Sequence, residues 1–189
     1  MLYINDNIEQ FDLEVGLEQI SLQRREYALR YRRKTDRALC VAAYILLMDG
    51  LRKEYGITDM PEFVFGHHGK PQLKGLTDIH FNLSHCDKAA ACMISERPVG
   101  IDVEIIKPYE PELAAATMNE TEIHNILDSP DPSIAFTQLW TMKESLLKLT
   151  GEGITDNLHK LLNDTSDFIF TTRFFTQKGF VLTICETKK

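Results

Sequence analysis

The sequence predicts an α+β fold. Strand-like and helix-like patterns come in blocks along the chain and do not alternate strictly, which disfavours a doubly wound parallel sheet. At 189 residues and 43% hydrophobic content the chain can bury a real core, and its length lies between one large domain and two small ones. Neither a Gly/Ser-rich linker nor a repeat visible in the residues divides it; if the chain has two halves, they share an interface near residue 97.

In chain order, residues 2–4 read as an edge strand and 17–33 as a basic segment of helical character. From Lys34 to Tyr55, Leu39, Ala42, Ala43, Leu46, Leu47 and Leu51 recur on one helical face, predicting a largely buried helix. "GHHGKP", residues 66–71, is turn material: Gly66 and Gly69 relax the backbone and Pro71 fixes it. Strands are expected around 79–83, 89–95 and 99–104, with Ser84 and His85 at the bend between the first two. A helical pattern over 111–127 makes Met118, Ile123 and Leu127 core residues. After the breaker run "DSPDP" a second helix is expected over 133–149, then strands near 168–175 and 180–185.

Composition narrows the function. The longest apolar run, Leu39–Met48, is too short to cross a bilayer, and the first residues lack a secretory pattern, so a cytoplasmic location is expected. Cys40, Cys86, Cys92 and Cys185 have no paired C-x-x-C spacing, which argues for reduced, buried thiols over zinc or disulfides. The net charge is −7, yet residues 24–37 hold seven basic side chains against Glu26 and Asp36. Such a basic island on an acidic chain suits a local anion site better than a general affinity for polyanions.

Several short stretches carry chemistry. In "VGIDVEIIKP" (99–108), Asp102 and Glu104 share one strand face, and two adjacent carboxylates suit a hard divalent cation such as Mg²⁺. The same alternation also describes a strand with a solvated polar face. In "WTMKESLLKLTGEG" (140–153), Trp140, Glu144 and Lys148 share a helix face, which equally describes an ordinary Glu–Lys pair. Lys70 on its glycine-freed loop can meet a phosphate as a point charge or be merely solvated. Ser84 and His85 can donate to an anion or satisfy a turn.

Taken in order, Lys70-Pro71 after a glycine turn, then "FNLSH", "VGIDVE" and "LWTMKESLLKLTGEG" resemble the 4′-phosphopantetheinyl transferases, in particular the larger type that activates peptide synthetases. The resemblance covers roughly residues 25–185. It implies two similar α+β halves related by a pseudo-two-fold: residues 1–97 with the nucleotide contacts, and 98–189 with the metal site and the carrier-docking surface. It further implies a monomer, with the carrier protein meeting the helices around 111–127.

By the same resemblance Asp102, Glu104 and Glu144 are metal ligands for Mg²⁺, with Mn²⁺ as an alternative. Glu144 and Lys148 are the catalytic pair. Lys70, Pro71, Ser84, His85, Arg37 and Lys148 contact coenzyme A, and Arg25, Arg30 and Arg33 are further phosphate candidates. The implied reaction moves the phosphopantetheine arm of coenzyme A to a serine of an acyl or peptidyl carrier protein. A different Mg²⁺-dependent phosphohydrolase would explain the carboxylates but not "GKP" and "FNLSH" in this order. A nucleic-acid module would explain the basic island with Tyr27 and Tyr31, but not its acidic surroundings.

Overall fold

The computed structural model describes residues 1–66, 68–153 and 157–188. His67, inside the predicted 66–71 turn, lies outside them. Two antiparallel three-stranded sheets carry the architecture, each with a long helix on its outer face. The first sheet has the order β1-β5-β4, built from β1 (Leu2–Asn5), β4 (His80–Cys86) and β5 (Ala89–Ser95). In the second, β6 (Val99–Ile105), β7 (Phe168–Phe175) and β8 (Phe180–Thr187) run in the order β6-β8-β7. Both sheets thus place their first strand against their last. A small hairpin of β2 (Phe63–Phe65) and β3 (Pro71–Leu73) stands apart.

The helices follow from local signals. Asp12 caps α1 (Leu13–Glu18) and Ser21 caps α2 (Leu22–Leu29), so the predicted 17–33 segment breaks in two at a serine that accepts from the Arg24 amide. Helix α3 (Lys34–Tyr55) runs as its periodicity predicts and stops at Gly56, which takes the left-handed conformation. The predicted 111–127 helix is two pieces, α4 (Pro111–Thr117) and α5 (Glu120–Leu127). Asn119 interrupts it because its side chain forms a capping box with Glu122. Of the three core residues expected there Met118 is buried and Ile123 half-buried, whereas Leu127 is exposed and Ile126 takes the inward place. Helix α6 (Pro132–Thr150) starts on the Asp131 cap and ends at Gly151.

Alternation along each strand sorts its residues between two layers. Phe81 and Leu83 of β4, with Ala90, Cys92 and Ile94 of β5, face α3. Ala89, Ala91 and Met93 turn the other way and meet Val99, Ile101 and Val103 of β6 and Phe180, Leu182 and Ile184 of β8 in one shared core. On the far side of β6 lie Gly100, Asp102 and Glu104, against α6. All four cysteines are free and buried. No described helix is long and apolar enough to cross a membrane.

Strands β4 and β6 run side by side without a backbone ladder; side chains make the joint. The Asn82 carboxamide oxygen accepts from the Ile101 amide at 2.8 Å, and the Ser84 hydroxyl accepts from the Val103 amide at 3.2 Å. Both partners advance by two residues together, so the strands are parallel.

Two predictions follow from these contacts. Asn82→Leu leaves the buried Ile101 N–H without its acceptor and should cost about 1–3 kcal/mol in urea unfolding. A Cβ at Gly100 would lie 1.9 Å from the Ser145 carbonyl oxygen and 2.6 Å from the Leu149 nitrogen, both backbone atoms that cannot step aside. Gly100→Ala should therefore push α6 off the sheet and lower stability by about 1–3 kcal/mol or more, read as an earlier urea midpoint at an unchanged slope.

Candidate active site

The pleat of β6 aims Asp102 and Glu104 at α6, and the 3.6-residue turn of α6 stacks Glu144 and Lys148 on the facing stripe. Lys148 does not pair with Glu144 one turn away. Its ammonium crosses to Asp102 Oδ1 at 2.5 Å and to the Ser84 hydroxyl at 3.0 Å, because the buried carboxylate on the strand is the stronger attractor. Ser84 in turn donates to Asp102 Oδ1 at 3.1 Å. With Val103 N–H and Lys148 as donors to it, the hydroxyl uses its one proton and both lone pairs.

The remaining oxygens are short of partners. Among the described residues, Asp102 Oδ2 and Glu144 Oε1 are buried without a hydrogen bond. Burial, reinforced by the Asp102 charge, pushes the Glu104 carboxyl up to about 7. Glu144 is raised for the same two reasons, with Lys148 opposing them. Each carboxyl thus feels its neighbours, as expected of a convergent acidic site. Among the described residues no three His, Cys, Asp or Glu side chains are gathered closely enough to enclose an ion, and Asp102 is paired with Lys148. The orphaned oxygens of Asp102 and Glu144, and the crowding at Glu104, nonetheless fit a hard divalent cation.

Two cavities border α6 and a third lies beyond them. A groove of about 300 Å³ is lined by Lys70, Pro71, Asn82, Glu144, Lys148 and Gly151. Near the other end of the helix, Glu104, Lys107, Leu113, Phe136 and Trp140 border a cleft of about 200 Å³. Beyond the loop that holds Gly69 and Pro71, a slot of about 180 Å³ is walled by Arg24, Tyr27, Tyr44, Phe63 and Phe65. Gly69 and Pro71 line both the slot and the groove.

Several expectations change. Ser84 and His85 are not at a bend: β4 continues through both, and the turn is Asp87–Lys88, because Cys86 already pairs with Ala89. Adjacent residues of a strand face opposite ways, so Ser84 joins Asp102 while half-buried His85 turns toward the α3 side. Burial, and then the Lys148 charge, lowers the His85 pKa. Lys70 lines the groove, but its ammonium donates to the carbonyls of Leu149 (2.9 Å) and Val99 (3.2 Å). It thereby satisfies an end carbonyl of α6, and burial lowers its pKa. Arg37 donates from Nε to the Tyr31 carbonyl at 2.8 Å and does not line the groove. Arg25, Arg30 and Arg33 are exposed.

The residue that sequence reasoning passed over is Arg24. Its guanidinium lies 4.6 Å from the Tyr27 ring centre and 5.2 Å from that of Tyr44, with Nη2 donating to Cys40 Sγ at 3.4 Å. The i, i+3 spacing of Arg24 and Tyr27 was a visible signal; the approach of Tyr44 from α3 was not.

The chain is also similar to known proteins. Residues 98–185 match the model of the 4′-phosphopantetheinyl transferase superfamily. The chain is 30% identical over 158 residues to the 4′-phosphopantetheinyl transferase Sfp of Bacillus subtilis strain 168, covering 82% of this chain and 70% of that protein. A second 4′-phosphopantetheinyl transferase of Bacillus subtilis is 33% identical over 72% of this chain and 62% of its own length. The Salmonella typhi 4′-phosphopantetheinyl transferase AcpT is 35% identical over 61% of this chain and 59% of its length. The chain thus spans less than two thirds of the last two. On the match to the superfamily model and the extent of the likeness to Sfp, the chain belongs to the 4′-phosphopantetheinyl transferase superfamily.

Proposed function

We propose that the chain transfers the 4′-phosphopantetheine arm of coenzyme A to a serine of an acyl or peptidyl carrier protein, releasing 3′,5′-adenosine bisphosphate. The observation that carries this reading is the meeting of Asp102, Glu104, Glu144 and Lys148 at the foot of cavities that follow one helix. In this reading residues 1–97 hold the nucleotide and 98–189 hold the metal site and the carrier, within a monomer.

The carrier serine oxygen forms a bond to the phosphorus that bears the pantetheine arm. The anhydride P–O bond breaks, and its electron pair leaves with the adenosine bisphosphate. Glu144, its pKa raised by burial, takes the serine proton, directly or through a water. Lys148 is held ready by Asp102 and Ser84 and neutralises the charge that grows on the leaving oxygen. Asp102, Glu104 and Glu144 would hold Mg²⁺, or Mn²⁺, which when bound polarises the pyrophosphate as a Lewis acid. Lys70 and Pro71 shape the groove wall. The Arg24 slot, with guanidinium and aromatic faces together, suits the nucleotide end, and His85 and Arg37 lie on the same half. The carrier approaches from the Leu113 and Trp140 side.

Incubation with coenzyme A, Mg²⁺ and an apo carrier should add the arm to the carrier, read by mass spectrometry. Coenzyme A consumed with an unmodified carrier would instead mean a phosphohydrolase. Glu144→Gln should slow transfer by about 10²–10⁴-fold at a nearly unchanged melting temperature. A variant that stays active rejects the assigned base.

The raised pKa of Glu104 sets a pH effect. Between its ordinary value of 4.5 and about 7 the native state holds a proton that the unfolded chain has released, so without metal this group's contribution to stability falls as pH rises through that window. A cation must displace the same proton to bind. The gain in melting temperature on adding Mg²⁺ should therefore be larger at pH 8 than at pH 6, and Glu104→Gln should flatten the difference.

A further inference from the structure

Lys143 precedes Glu144 in the chain and is wholly buried. Its ammonium donates to the Thr117 carbonyl at the end of α4 (2.9 Å), to Glu122 Oε2 in the first turn of α5 (2.7 Å) and to the Leu158 carbonyl (2.8 Å). All three protons are used, each on a different segment. Glu122 Oε2 also accepts from the Asn119 amide, and the Asn119 carboxamide reaches His159 O and Asn163 Oδ1. The α4–α5 corner and residues 158–163 are thereby fastened to one point on α6.

Stability alone does not account for this arrangement, because a buried ion pair roughly breaks even against packed hydrophobic side chains. What it supplies is position. Toward the second sheet α6 presents Thr141 and Ser145, with Gly100 opposite, a seam of small residues that permits close approach, while Leu146 and Leu149 pack on Cys185, Phe168 and Phe170 along one side only and leave the side that carries Lys143 to be fixed by its polar contacts. Successive residues of a helix are separated by about 100°, so the anchor at 143 sets the direction of 144 and, one turn on, of 148.

We infer that Lys143 is a positioning residue of the transfer reaction: by tying α6 to the α4–α5 corner and to residues 158–163 it sets the rotation at which Glu144 and Lys148 meet Asp102 and Glu104. The inference rests on the transferase reading above. It also links the helices proposed to meet the carrier with the base that would deprotonate the carrier's serine.

The test compares Lys143→Met, Glu122→Ala and Glu122→Gln with Ile126→Ala, a buried α5 control that destabilises without touching the anchor. Rates are measured with coenzyme A, Mg²⁺ and an apo carrier, below every variant's unfolding transition. Lys143→Met should lower kcat by on the order of 10²-fold with KM for coenzyme A nearly unchanged. It should also shift the emission of Trp140, the single tryptophan, one turn before Glu144. Ile126→Ala, and Glu122→Gln, which keeps an acceptor for Lys143, should each stay within about threefold of wild-type kcat. If Lys143→Met does not fold, Glu122→Ala replaces it, with a smaller fall in kcat that Glu122→Gln rescues. A Lys143→Met or Glu122→Ala enzyme that behaves like Ile126→Ala overturns the inference alone. Wild-type protein that modifies no carrier ends the transferase reading and this inference with it.

Discussion

The molecule depends on the parallel seam between β4 and β6, where Asn82 and Ser84 supply the acceptors that a backbone ladder would otherwise provide. A ladder would have merged the two sheets into one. Side-chain acceptors instead leave them as separate sheets around a common core, with one long helix outside each. The same substitution of side chain for backbone brings a hydroxyl beside Asp102, and the reactive centre grows from that point. Structure and chemistry share atoms here: Ser84 closes the joint and also steadies Lys148.

Charge at the site is finely divided. Three carboxyls and one ammonium lie within mutual influence, and among the described residues Asp102 Oδ2 and Glu144 Oε1 find no hydrogen-bond partner. Such a set is costly to bury and stays affordable because Glu104 and Glu144 hold protons more tightly and Lys148 reaches Asp102, the most buried of the three. The excess of negative charge is also what gives the centre a use for a cation and for a polyphosphate that brings one.

Long, strongly periodic elements were legible in the sequence. Helix α3 and the strands at 89–95 and 168–175 have the expected limits, and Asp102 and Glu104 share the face that alternation assigns them. The hairpin β2–β3 was not legible, because three-residue strands carry no measurable period. Nor was the Asp87–Lys88 turn, which has none of the glycine or asparagine that marks tight turns. The site was legible as a set of residue types, not as a set of bonds. Spacing could pair Lys148 only with Glu144, whereas its partners come from β4 and β6, 64 and 46 residues away. The commitment of Lys70 to Leu149 and Val99, and the stacking of Tyr44 on Arg24, likewise depend on contacts that no local pattern encodes.

The opposite orientations of Ser84 and His85 have a further consequence. Because side chains in β4 change sides at each step, sliding the strand by a single residue would drive Phe81 and Leu83 among the acids and bury a hydroxyl under α3. A single substitution in this segment removes one contact, whereas a shift of its reading frame against β6 would remove them all. The β4–β5 hairpin therefore acts as a ruler, and every distance in the reactive centre is measured from it.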